Sequence, residues 1–146
     1  VTKAAICTHC WDIVSPHRDW TTNRAWRWCA CQHAATRWRD GNQGLLEVSA
    51  LHGQDFVRVL GLNNSFLMAA FELPKPMSDP WWRNFHHLST DSVASSYLFH
   101  KDRRDCWALL TRVGESGDVF WVDHNEVYAE TWAARNAERA EAGGRS

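Results

Sequence analysis

The chain has 146 residues, 45% hydrophobic and 23% charged, with a formal net charge of −1. That length supports one domain with a sizeable core, or one domain carrying a small metal-bound lobe. The near-zero charge removes any global electrostatic case for nucleic acid or membrane binding, and no apolar run approaches the roughly 18 residues that span a bilayer.

The first strong pattern lies in residues 1–40. Ala4–Cys7 reads as a short strand running into Cys7-Thr-His-Cys10, where two intervening residues let a tight turn aim both thiols at one ion. Residues 11–24 are polar, contain Pro16 and have no period, so a loop is expected. Ala25–Cys31 alternates: Trp26 and Trp28 fall on one strand face, Cys29 and Cys31 on the other. Gln32-His33 reads as a turn and Ala34–Arg39 as a returning strand. Asp40-Gly41-Asn42-Gln43-Gly44 is a loop signal and the expected edge of the lobe.

The body is expected over 41–142. Leu45–Leu51 and Phe56–Leu62 read as two strands joined as a hairpin through His52-Gly53-Gln54-Asp55. Asn63-Asn64 breaks the second run, and Ser65–Phe71 reads as a short helix capped by Asn64 or Ser65. Asp79-Pro80 is a helix start, with Trp81, Trp82, Phe85 and Leu88 as its apolar side. Tyr97–His100 and Cys106–Val113 read as strands, and Gly114–Gly117 as a turn to a hairpin partner at Asp118–Val122. Asp123-His124-Asn125-Glu126 has capping-box spacing ahead of a helix from about 124 to 142, stopped by Gly143-Gly144. Residues 143–146 form a tail.

Four of the five cysteines, Cys7, Cys10, Cys29 and Cys31, form a C-x2-C and a C-x-C pair separated by residues 11–28. Zinc takes four soft or borderline ligands at tetrahedral corners, and two cysteine pairs on opposed turns supply them. The second pair departs from the C-x2-C of a zinc ribbon. That departure makes His33 an alternative to Cys29, with His9 and His17 as weaker candidates. Four protein ligands leave no open position, so a structural zinc site is expected, with no catalytic residues. An odd cysteine count with four clustered fits a reducing cytoplasm better than a disulfide scaffold.

Tryptophan is the second signal. Positions 11, 20, 26, 28 and 38 interleave with Arg24, Arg27, Arg37 and Arg39. Arginine and aromatics together can stack bases or anchor a protein partner; in a small lobe they also supply buried area, with arginine lying on the ring faces. Among histidines, only His86-His87 near Asp91 and His100 near Cys106 form groupings, and Cys106 sits in an apolar run that favours burial. No phosphate loop, nucleotide-binding glycine pattern, HExxH or GxSxG is present.

The layout CTHC…WRWCAC…ATRWRD, with VRVLGLNNSFLMAAFE and SYLFHKDRRDCWALL…GDVFW, resembles small cysteine-paired, zinc-ribbon-like proteins of actinobacteria and their phages. The resemblance implies no particular activity. It implies that the family's cysteine pairs correspond to Cys7, Cys10, Cys29 and Cys31. The expected fold is α+β: a zinc-ribbon-like N-terminal lobe on a mainly antiparallel sheet, with a C-terminal helix. The expected function is a zinc-stabilised, non-enzymatic binding module with a protein partner, such as a phage accessory protein acting on a host protein. Nucleic-acid binding through the basic lobe and a metal-dependent enzyme are the alternatives.

Overall fold

A computed structural model describes residues 2–17, 19, 24–83, 96–100, 102–110 and 119–143. The fold is α+β, built of largely antiparallel sheets with a long C-terminal helix. The strands are β1 (Thr2–Cys7), β2 (Ile13–Val14), β3 (Arg27–Trp28), β4 (Ala34–Arg39), β5 (Asn42–Ala50), β6 (Val57–Leu62), β7 (Ser96–His100), β8 (Arg103–Leu110) and β9 (Val119–Trp121). The helices are α1 (Asn64–Phe71) and α2 (His124–Gly143).

The strands make two sheets, ordered β2-β1-β6-β8-β7 and β3-β4-β5-β9. All described pairings are antiparallel except β5 with β9. β1 pairs with β6 and β4 with β5, so strands from before and after residue 40 share both sheets.

The two sheets face each other, and strand alternation explains why. In β1, Ala5 and Cys7 turn toward the second sheet, while Ala4 and Ile6 turn outward under α1. β6 divides likewise, with Val57 and Val59 inward and Leu60 and Leu62 outward. Leu46 and Val48 of β5 and Ala34 and Trp38 of β4 complete the inner layer. β1 and β6 are therefore apolar on both faces, which suits strands buried between two layers.

The outer face of the first sheet is closed by Phe66, Leu67, Ala69 and Ala70 of α1 together with Trp82. Asn63 caps α1: its side chain accepts a 2.8 Å hydrogen bond from the Phe66 amide. The cap is thus Asn63, one residue before Asn64 and two before Ser65, the expected caps. On the outer face of the second sheet, the apolar cluster among the described residues is smaller: Trp26, Ala35 and Val127, with Trp28 and Val122 beside them.

Four local expectations are corrected. Leu45–Leu51 and Phe56–Leu62 do not form a hairpin; β5 and β6 lie in opposite sheets, because their inward faces pack against each other rather than side by side. The Val119–Trp121 strand does not return beside β8 but pairs in parallel with β5. Within the expected loop, Ile13 and Val14 form a short strand against Ile6 and Ala5. The strand expected over Ala25–Cys31 is reduced to Arg27–Trp28, so both later cysteines sit on a turn. The Asp79-Pro80 start gives one tight turn, with the Arg83 amide donating to the Pro80 carbonyl at 3.0 Å. Its expected continuation through Phe85 and Leu88, and the Gly114–Gly117 turn, lie outside the described residues.

Candidate metal centre

Each cysteine pair sits where a strand of one sheet ends. β1 delivers Cys7, and the Cys7–Cys10 turn closes through the Trp11 amide, which donates to the Cys7 carbonyl at 2.7 Å. β3 delivers Cys29, and the second turn closes through the Gln32 amide to the Cys29 carbonyl at 3.1 Å. The residue after each pair has left-handed backbone, Trp11 at φ 59° and Gln32 at φ 63°. Neither is glycine, so each turn holds about 1 kcal/mol or more of unfavourable backbone geometry.

The four sulfurs all lie within 4.8 Å of one another. Cys31 Sγ is 3.5 Å from both Cys7 Sγ and Cys29 Sγ. Four ligands about 2.3 Å from a tetrahedral ion stand about 3.8 Å apart, so the cluster has the size of a thiolate cage. Cys7 and Cys29 are buried, Cys10 and Cys31 half-buried, and all four are free thiols. The cluster therefore lies at the rim of the core between the sheets, one pair from each sheet, close enough to bind a metal ion.

The protonation of the thiols supports the same reading. Hydrogen bonds from Cys29 and Cys7 hold Cys10 far below the usual thiol range. The contact with Cys10 in turn pushes Cys7 up to about 12 and Cys29 further up, with burial adding to both. The thiolate is favoured on Cys10 while Cys7 and Cys29 are held protonated, because negative sulfurs packed this closely repel unless a cation lies among them. A divalent ion reverses that balance and deprotonates coordinating thiols.

Neighbouring groups fix the two turns in place. The Ala34 amide donates to Cys29 Sγ at 3.3 Å. Asp12 joins the turns: its carbonyl accepts from the Cys7 amide at 3.1 Å, and its carboxylate accepts from the Ala30 amide at 3.0 Å. Lys75 pairs with the same carboxylate. The first turn is also tied to the body through Thr8, whose amide and hydroxyl both donate to the Phe56 carbonyl, at 2.9 and 2.7 Å.

The structure brings all four cysteines together, Cys29 included. His33 packs near His9, their ring centroids 4.2 Å apart, and ligand atoms of both lie within 4.8 Å of the Cys31 sulfur. His52 also packs edge-on against His33, at 4.8 Å. Burial first, then the neighbouring His9 and His52, hold His33 below its ordinary range. His17 is elsewhere, lining a groove with Trp38 and Phe71.

The other singled-out residues are placed less suggestively. Cys106 is buried beneath α1, where burial pushes its thiol up. His100 accepts from the Asp102 amide at 3.1 Å and packs on Trp81. His86, His87 and Asp91 lie outside the described residues. Trp26, Trp38 and Trp82 are buried. Arg37 lies over Trp26 at 4.4 Å, Arg39 over Phe120 at 4.0 Å and Arg27 over Phe71 at 4.8 Å. These arginines cover aromatic faces of the protein itself.

Three contributions escaped sequence reasoning. Asp12 follows the first pair by two residues, a position where an acid can cap turn amides, but nothing in the sequence points it at Ala30. His52 reaches His33 only because the Leu51 amide donates to the His33 carbonyl, extending the β4–β5 ladder. Ser49 and His124 share a buried 3.1 Å contact, with the other ring nitrogen of His124 3.2 Å from the Gln32 carbonyl. A carbonyl only accepts, so that nitrogen carries the proton and the Ser49 hydroxyl donates to Nδ1. The pair has the look of a serine–base dyad, but Ser49 is fully buried. Its effect is to tie the start of α2 to the second cysteine turn.

No protein-family model, curated protein or solved structure matches the chain.

Proposed function

We propose that the protein is a zinc-stabilised, non-enzymatic binding module whose partner is another protein. Zinc is the ion that four thiolates in a compact tetrahedral set favour, and a four-sulfur shell leaves no place for substrate or activated water. The metal then holds the two sheets together at one rim.

The observation that carries the partner reading is the outer end of α2. Every residue from Trp132 to Gly143 is exposed, and those twelve residues project about 18 Å along the helix axis. Helices that short are marginal in water without packing. Tyr128 and Trp132 are exposed and stack one turn apart, their ring centroids 5.9 Å apart, as a pair of aromatic anchors. A helix that lays such anchors into a partner's apolar groove is a common recognition mode. The resemblance to actinobacterial and phage proteins favours a host protein in the cytoplasm as that partner. The nucleic-acid alternative has less support, because Arg27, Arg37 and Arg39 are already engaged with aromatic rings. No helix among the described residues is long and apolar enough to cross a membrane.

The test has two arms on the full chain. Elemental analysis is expected to find tightly held zinc, and its removal by a chelator to lower the melting temperature on the order of tens of degrees, since structural zinc sites contribute about 10 kcal/mol or more. Immobilised protein is expected to capture one reproducible protein from host lysate, and Tyr128→Ala/Trp132→Ala to abolish that capture while the chain stays folded, with a small drop in melting temperature from the lost edge contact of Tyr128 with Trp28. Metal-free protein of unchanged stability, or capture indifferent to the double substitution, overturns the reading.

A further inference from the structure

We propose that His9 and His33 form a second metal site, for a zinc-class divalent cation, that shares the sulfur of Cys31 with the four-cysteine cluster. It rests on the four-cysteine reading only through that shared sulfur.

The ligand atoms of His9, Cys31 and His33 all lie within 4.8 Å of one another. Two imidazole nitrogens and a thiolate are a donor set that zinc-class ions favour. Cys31 can serve both sites because it belongs to the four-sulfur cluster and its sulfur also lies within 4.8 Å of the ligand atoms of His9 and His33; it is half-buried, whereas Cys7 and Cys29 are buried. A thiolate has lone pairs for two ions, and its bridging would spread the surplus negative charge of a tetrathiolate cage.

His33 itself points to a ligand. Its Nδ1 is buried and has no hydrogen-bond partner among the described residues. Buried polar atoms normally find one, and each that does not calls for an explanation such as an ion. The ring is not placed by chance, since it is clasped between His9 at 4.2 Å and His52 at 4.8 Å. Three imidazoles packed this closely gather several nitrogen donors of the kind zinc-class ions take. His52 lies outside the three-atom set and backs the His33 ring.

The two centres would differ in kind. The cage has four protein ligands and is closed. The His9–Cys31–His33 centre has three, and His9 is exposed, so its fourth position opens to solvent. Such a position takes water or an anionic or thiol donor from solution. The outer ion would therefore exchange more readily than the inner one.

Equilibrium dialysis of the tag-free 146-residue chain against buffered zinc, followed by elemental analysis, tests the proposal. The expected result is about two ions per chain for the wild type and about one for His9→Ala/His33→Ala. Because His33 is clasped between rings, His9→Ala alone, at an exposed position, provides a second variant and is also expected to bind about one. Chelator release is expected in two phases, the faster one missing from both variants. One ion in the wild type overturns the second site and leaves the closed cage standing. Two ions in all three proteins places the second ion elsewhere and overturns it too. A wild type that binds none overturns both centres.

Discussion

The two outer faces of the sandwich are covered in different ways. Under α1, the first sheet is sealed by Phe66, Ala70 and Trp82, all with no exposed surface. Over the second sheet, α2 buries only His124 and Val127 among its described residues, and from Trp132 onward it is open to solvent. α1 is short and apolar and sits along its sheet. α2 is long and polar and touches its sheet mainly by its first two turns. A small helix laid flat serves stability, whereas a long helix held at one end leaves most of its surface for something else. The cysteine cluster joins the two sheets between these faces, and through Gln32 it also touches the root of α2.

Paired truncations give the largest test of that contrast. Phe66→Ala removes a fully buried ring from the α1 side and is expected to cost about 3–5 kcal/mol. Val127→Ala removes two methyl groups from the α2 side and is expected to cost about 1.5–2 kcal/mol. Urea unfolding followed by circular dichroism measures both. If the costs are equal, the two faces contribute alike and the contrast is lost.

Acid gives a smaller effect, confined to the α2 side. Burial holds His124 below its ordinary value of 6.5, opposed by its bond to the Gln32 carbonyl; His33 and His52 lower it further and Asp123 raises it. The unfolded chain then takes up the proton more readily than the folded one. The stability gained from neutral His124 is present above about pH 6.5 and is lost as pH falls from there toward the lower folded value. Thiolate protonation also weakens a metal site in acid, so the useful quantity is the difference between wild type and His124→Gln. That difference in melting temperature is expected to shrink between pH 7.5 and 5.5. A constant difference would show that His124 takes up its proton equally readily in the folded and unfolded chains, so that burial does not depress it.

What the sequence made legible follows from which forces act locally. The C-x2-C and C-x-C pairs, the α1 segment and the 124–142 helix are written in short-range spacing and capping, and each appears where the residues place it. The pairing of β5 with β9, and of β6 with β1 rather than β5, is not local. Leu45–Leu51 and Phe56–Leu62 have the composition and spacing of a hairpin; only the apolar inner faces of both runs, meeting across the core, send them to different sheets. The same holds at the site. The cysteines declare themselves by spacing, while Asp12, His52 and the Ser49–His124 pair depend on contacts between distant segments.

Glu130 marks the last point at which α2 is held, and it supports the smallest effect. Its carboxylate accepts from Arg37 at 2.6 Å and from Trp26 Nε1 at 3.0 Å, and beyond Thr131 the helix is wholly exposed. The carboxylate is itself more than half exposed, so its ion pair is worth at most about 1 kcal/mol. Glu130→Ala is therefore expected to lower global stability by about 1 kcal/mol or less. Amide exchange should respond unevenly, quickening from Thr131 onward and leaving α1 unchanged. Uniform quickening across both helices would mean that α2 is folded as part of the core, and its outer end would no longer stand apart as a surface held out for a partner.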